Sequence, residues 1–142
     1  MILLDVNLLL YAQFPDYPKH ELARTWFEAR LNGTTQVGLP WVTVLGFVRI
    51  ASNPRLFAEP PTVLEAWRVV RGWLECSTVW IPEPTSQHSA VFQRMLEAAP
   101  LPRLVTDAYL AALAVEHGLT LCSADADFAR FPELRFLNPL PV

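Results

Sequence analysis

Residues 106–127, TDAYLAALAVEHGLTLCSADAD, carry a helix, a stop, a strand and an acidic turn in direct succession. The helix runs from Thr106 to His117 and closes at Gly118, the residue type that most readily takes a left-handed stop. The apolar run Leu119 to Cys122 then reads as a short strand. Working outward, further strand candidates are Ile2 to Leu4, Val37 to Leu39, Val79 to Ile81 and Arg135 to Leu137, each bounded by turn-type or charged residues. Helix-length segments lie between them. Pro18 suits a first helical turn, and Leu22, Trp26, Phe27 and Arg30 follow at helical spacing until Gly33. Val42 to Ser52 ends at Asn53-Pro54, and Thr62 to Leu74 places Val63, Trp67, Val70 and Leu74 on one stripe. Thr85 or Ser86 caps a helix running to about Ala99, with Val91, Phe92, Met95 and Leu96 inward. Alternating strands and helices require crossover connections, so the expected fold is α/β with a mostly parallel sheet of five short strands, covered on both faces.

In such a sheet the crossover helices run antiparallel to the strands, and ligands bind at the edge where strands end and helices begin. Asp5 follows the first strand, Asp107 stands in the first turn of its helix, and Asp125 and Asp127 follow the strand ending at Cys122. Three separate segments therefore bring carboxylates to the same edge. Each aspartate taken alone is better explained as a helix cap, where its charge meets the helix dipole, than as a metal ligand. Together they point to a cation, because neighbouring carboxylates raise one another's pKa unless something compensates them. Mg²⁺, or Mn²⁺, is the expected cofactor, being hard and oxygen-seeking.

The 142 residues fit one domain, expected over 1–142, and 52% hydrophobic residues supply a core with some surface left for a partner. No apolar run approaches a membrane span, and the start Met1-Ile2-Leu3-Leu4-Asp5 lacks the regions of a signal peptide, so the expected location is cytoplasmic, with no membrane association. Cys76 and Cys122 lack metal or redox spacing and read as buried thiols in a reducing compartment. The net charge of −3 argues at first against nucleic acid. Setting the four clustered aspartates aside, however, leaves ten acids against 11 basic residues, all arginine except Lys19. Arginine's planar fork suits phosphate.

His20, His88 and His117 are scattered without metal spacing and read as satisfied structural histidines. Asp125-Ala126-Asp127 opens like a calcium loop, but Arg130 stands where such a loop needs glycine. Five glycines in the whole chain leave little scope for a phosphate-cradling loop.

The blocks Leu3 to Ala12, Phe47 to Pro54, Thr106 to Ala114 and Ser123 to Phe128, in this order, resemble the PIN-domain ribonucleases and, more narrowly, the VapC-type toxins of bacterial toxin–antitoxin pairs. The resemblance spans almost the whole chain. It implies a three-layer α/β/α sandwich, Mg²⁺-dependent endoribonuclease activity, a homodimer, and a small VapB-type antitoxin covering the active site. By motif, Asp5, Asp107 and Asp125 match the metal-binding carboxylates and Asp127 a more variable acid. Asn7 matches a polar residue supporting the first aspartate, and Ser123 a hydroxyl beside the site. One departure stands out: Gly46 occupies the place of a common glutamate ligand. A glycine inside a helix costs roughly 1 kcal/mol relative to alanine, which suggests close packing or substrate access there.

The expected chemistry is phosphodiester hydrolysis assisted by an aspartate-bound cation, with Asp125 or Asp127 orienting the attacking water. Arg49, one turn from Gly46, is the candidate contact to the RNA backbone, and Arg103 the second. The alternative is a PIN-like module with little or no catalysis that binds RNA or a protein, motivated by Gly46. An aspartate-nucleophile phosphatase, suggested by Asp5-Val6-Asn7, lacks the second aspartate and a downstream lysine.

Overall fold

The structure, a computed structural model, describes residues 1–141. Five strands, β1 (Ile2–Leu4), β2 (Val37–Gly38), β3 (Val79–Trp80), β4 (Thr120–Cys122) and β5 (Arg135–Leu137), form one sheet in the order β3-β2-β1-β4-β5. Every pairing is parallel, so the expected "mostly parallel" sheet is wholly parallel. The helices are α1 (Val6–Gln13), α2 (His20–Leu31), α3 (Trp41–Ala51), α4 (Val63–Leu74), α5 (His88–Ala98) and α6 (Val105–His117), with short 3-10 turns at Pro102–Leu104 and Ala126–Arg130.

Alternation along the strands splits the core into two layers. Leu4, Val37 and Cys122 face one layer with α1 to α4, where Leu8, Phe27, Phe47 and Val70 are buried. Leu3 and Leu121 face the other, with Met95 of α5, Leu113 of α6 and Phe128. Helix α6 is apolar nearly all round, with Ala108 and Leu110 to Ala114 buried, which is why it lies inside the fold. The result is a three-layer α/β/α sandwich. The chain moves outward from β1 to β3, then returns to the other side of β1 for β4 and β5. That reversal opens a crevice at the C-terminal ends of β1 and β4.

The helix ends follow local chemistry with some departures from expectation. Thr62 closes a capping box with Glu65 at the start of α4, and Gly118 ends α6 at φ 66° as expected. Helix α2 begins at His20, after Pro18, and buries Ala23 and Phe27 while Leu22 is exposed. Val63 is likewise exposed; α4 buries Ala66 and Val70. Neither Thr85 nor Ser86 caps α5, whose N-cap is Gln87 with no side-chain cap. Thr85 instead caps the turn that leads into it: its hydroxyl accepts from the Gln87 N–H (3.1 Å), while its N–H (2.9 Å) and hydroxyl (2.8 Å) donate to Glu116. No helix among the described residues is long and apolar enough to cross a membrane.

Candidate active site

Asp5 sits where β1 becomes α1. Its N–H continues the ladder to the Cys122 carbonyl (3.0 Å), and its Oδ1 caps α1 by accepting from the Val6 N–H (2.8 Å). The capping reading of this residue therefore holds, but it uses only one carboxylate oxygen. The other, Oδ2, accepts from the hydroxyl of Ser123 at 2.8 Å. Ser123 is fully buried and acts as a hub: it also accepts from Asn7 Nδ2 (3.1 Å) and from the Asp125 N–H (3.0 Å). Asn7 in turn accepts from the Ala124 N–H through Oδ1 (3.3 Å). Asn7, in the first turn of α1, thus ties the end of β1 to the end of β4, where two of the acids are carried.

Asp125 caps the 3-10 turn after β4, its Oδ1 accepting from the Asp127 N–H at 2.9 Å. Asp107 lies in the first turn of α6 but caps nothing; the N-cap is Leu104. Its carboxyl is pushed up to about 6, first by burial, then by the charges of Asp5, Asp125 and Asp127, with Arg103 alone pulling it down. Burial also raises Asp5 above the ordinary carboxylate range; the Ser123 hydroxyl and Val6 N–H oppose this, and Asp125 adds to the rise. The structure thus brings acids from all three segments within electrostatic reach of one another.

Their donor chemistry, hard oxygens carrying uncompensated negative charge, fits a divalent cation. The arrangement is open, however. Among the described residues no three His, Cys, Asp or Glu side chains stand together closely enough to hold a metal ion as they are.

Asp127 differs from the other three. It accepts from Arg103 (3.0 Å) and Arg130 (3.1 Å), and Arg103 is the leading reason its carboxyl is held below the usual range. Arg103, the second backbone-contact candidate, is therefore half of an ion pair. None of the ion pairs among the described residues engages Arg49, which is exposed. It lines a cleft of about 290 Å³ between α3 and α6, with Asp5, Gly46 and Thr106 also in its wall.

Gly46 is not there for close packing. A Cβ at this position would meet Val6 Cγ2 at 3.5 Å, an ordinary contact, so the expectation of close packing is not met. Thr43 and Thr106 lie at the site without being among the residues that the sequence marks as functional. Thr43 is buried and donates to the Leu4 carbonyl (3.0 Å), pinning α3 to the strand that carries Asp5. Nothing in the local pattern marks Thr43; Thr106 is marked only by its neighbour Asp107.

The histidines are satisfied, as expected. His20 Nδ1 lies 2.8 Å from the Tyr11 carbonyl, His88 Nδ1 2.6 Å from Glu116, and His117 Nε2 2.7 Å from the Glu83 carbonyl. Both cysteines are free; Cys122 is buried, which pushes its thiol up to about 12, whereas Cys76, expected to be buried, is only half-buried at the end of α4.

The PIN domain family model matches residues 2–134. Ribonuclease VapC33 of Mycobacterium tuberculosis is 36% identical over 141 residues, covering 99% of each chain. Ribonuclease VapC37 of the same species is 38% identical over 140 residues, covering 98% of this chain and 97% of the other. Among solved structures, VapBC2 from Rickettsia felis, bound to a DNA fragment from its promoter, superposes with TM-score 0.69 at 17% identity, covering 97% of this chain and 98% of that one. FitAcB from Neisseria gonorrhoeae does so with TM-score 0.64 at 22% identity, covering 98% of each. At these identities the structural likeness speaks for the fold.

Proposed function

The chain belongs to the PIN domain family, and on that premise we propose that it is an endoribonuclease of the VapC kind, the toxin of a toxin–antitoxin pair, hydrolysing RNA at the aspartate-lined edge. The observation that carries this reading is the convergence of Asp5, Asp107 and Asp125 at the crevice between β1 and β4, with Arg103 the single cation opposing the charge on Asp107. Asp5, Asp107 and Asp125 would hold Mg²⁺ or Mn²⁺, with Asp127 in reserve because two arginines already occupy it. Such an ion, when bound, activates water and stabilises charge on the attacked phosphate.

The chain's own residues divide the remaining work. Ser123 and Asn7 hold Asp5 in one orientation, so its carboxylate needs no rearrangement to act. Asp125 spends Oδ1 on the backbone and keeps Oδ2 to receive a proton from the attacking water. Arg49, uncommitted to any described acid, meets an RNA phosphate in the cleft beside Asp5. Trp41 and Leu45, 43% and 65% exposed on α3, supply apolar surface for a protein partner, either the antitoxin or a second copy in a homodimer.

The test is RNA cleavage with Mg²⁺ by wild type and by Asp5→Asn, each with a chelator control. Wild type is expected to cut only with the metal and the variant to cut little; equal cutting by both would sink the assignment. Gly46 and the open arrangement of the acids favour one other reading, a PIN-like module that binds RNA or protein without cutting it. Cation binding separates the two.

A further inference from the structure

A separate cavity opens beside the segment that follows β4. About 280 Å³ in volume, it is lined by Tyr11, Tyr17, Pro18, Lys19 and Ala124. Ala124 stands between Ser123 and Asp125, and its N–H is held by Asn7, so one wall of this cavity belongs to the segment that carries the candidate site. Tyr11 lies four residues beyond Asn7 on α1, about 6 Å along the helix axis.

The aromatic wall packs against the core. Tyr11 and Tyr17 pack with ring centroids 4.8 Å apart, and Tyr17 meets Phe57 edge-on at 6.1 Å. The turn between α1 and α2 is pinned by His20, whose Nδ1 bonds the Tyr11 carbonyl. Lys19, the only lysine in the chain, is engaged by none of the ion pairs among the described residues.

We infer that this cavity is a nucleotide subsite, in which the tyrosine pair stacks the base of an RNA residue next to the scissile bond and Lys19 contacts its phosphate. The inference rests on the proposed ribonuclease reading and names where its substrate lies. Single-stranded RNA is recognised by stacking unpaired bases on aromatic rings, with cations tracking the backbone. The cavity has both elements, joined to the acids through Ala124. Its volume, near the lower end of small-molecule sites at about 300 Å³, suits a base better than the flank of a partner helix. RNA seated here lies beside Asp125, the residue after Ala124, while Arg49 lines the separate cleft that holds Asp5.

Binding is measured on Asp5→Asn protein, which separates affinity from cleavage, with a short fluorescent single-stranded oligoribonucleotide and circular dichroism as the check on folding. In that background Tyr17→Leu is expected to weaken binding about tenfold, while Tyr17→Phe stays within about twofold. Lys19→Gln is expected to flatten the log–log salt dependence by about 0.7. Folded Tyr17→Leu protein with unchanged RNA affinity overturns the subsite, and more so if it has lost binding to the purified antitoxin, which would assign the cavity to protein. Should Tyr17→Leu fail to fold, the Lys19→Gln salt slope decides, an unchanged slope overturning the inference. Wild-type cleavage keeps the parent reading distinct: normal cutting with normal Tyr17→Leu binding removes the subsite alone, whereas no cutting and no RNA binding removes both.

Discussion

Ionising Asp107 costs free energy in the folded chain, because burial and three neighbouring carboxylates all oppose it. Its folded pKa of about 6 lies above the ordinary 3.8, so the contribution of its protonated form to stability is complete below about pH 4 and is lost as pH rises through 6. Asp107→Asn is therefore expected to stabilise the metal-free protein at pH 7 to 8 by roughly 1 to 3 kcal/mol, an advantage that disappears below about pH 4. Denaturant melts across that range in the presence of a chelator check this. Ser123 presents the opposite case. Its alanine variant leaves Asp5 Oδ2, Asn7 Nδ2 and the Asp125 N–H without their shared partner. A loss of about 1 to 3 kcal/mol is expected on urea unfolding. The aspartates were legible in the sequence because each marks a boundary between elements. The role of Ser123 as a hub was not derivable from the residues, since its bond to Asp5 joins positions 118 residues apart; only family resemblance placed it beside the site.

At the scale of elements, all five strands were legible, since each is an apolar run between turn-type or charged residues. Helix α1 was missing from the inventory of helices. Its leucines, Leu8 to Leu10, are all buried, so no polar face marks a helical period. Helix starts were less legible than stops: Gly118 stops α6 by its own backbone preference, whereas Thr85 caps the turn before α5 rather than the helix itself and is also tied to a distant glutamate. That glutamate makes a prediction. Burial alone would raise the Glu116 carboxyl, but bonds from His88 and from the N–H and hydroxyl of Thr85 hold it below the ordinary range. Its contribution to stability is thus present above about pH 4.5 and lost as pH falls through the lower folded value. Glu116→Gln is expected to lower stability at pH 7 by roughly 1 to 3 kcal/mol, with the gap to wild type narrowing in acid, as thermal melts would show. Helix α3 offers a gain instead. Since a methyl at position 46 meets only Val6 at ordinary distance, Gly46→Ala is expected to raise stability by about 0.5 to 1 kcal/mol. A drop in the melting temperature would show that the glycine serves packing after all.

At the scale of the whole molecule, the order β3-β2-β1-β4-β5 makes the site. It places the ends of β1 and β4 side by side at the reversal of winding, and α6 enters the same edge with Asp107. Alternation of strands and helices made the parallel sheet legible, and with it the convergence of the acids. The way Arg103 and Arg130 neutralise Asp127 was not legible, because the choice of partner depends on how the loops fold over the edge. What remains available to a cation is a set of three acids, Asp5, Asp107 and Asp125, none of which is engaged by an ion pair among the described residues. Calorimetric titration of Mn²⁺ into the RNA-free protein at neutral pH tests this most directly. Saturable binding at millimolar concentration or tighter, abolished by Asp5→Asn with the fold intact, is the predicted result; no binding by well-folded wild type would contradict it.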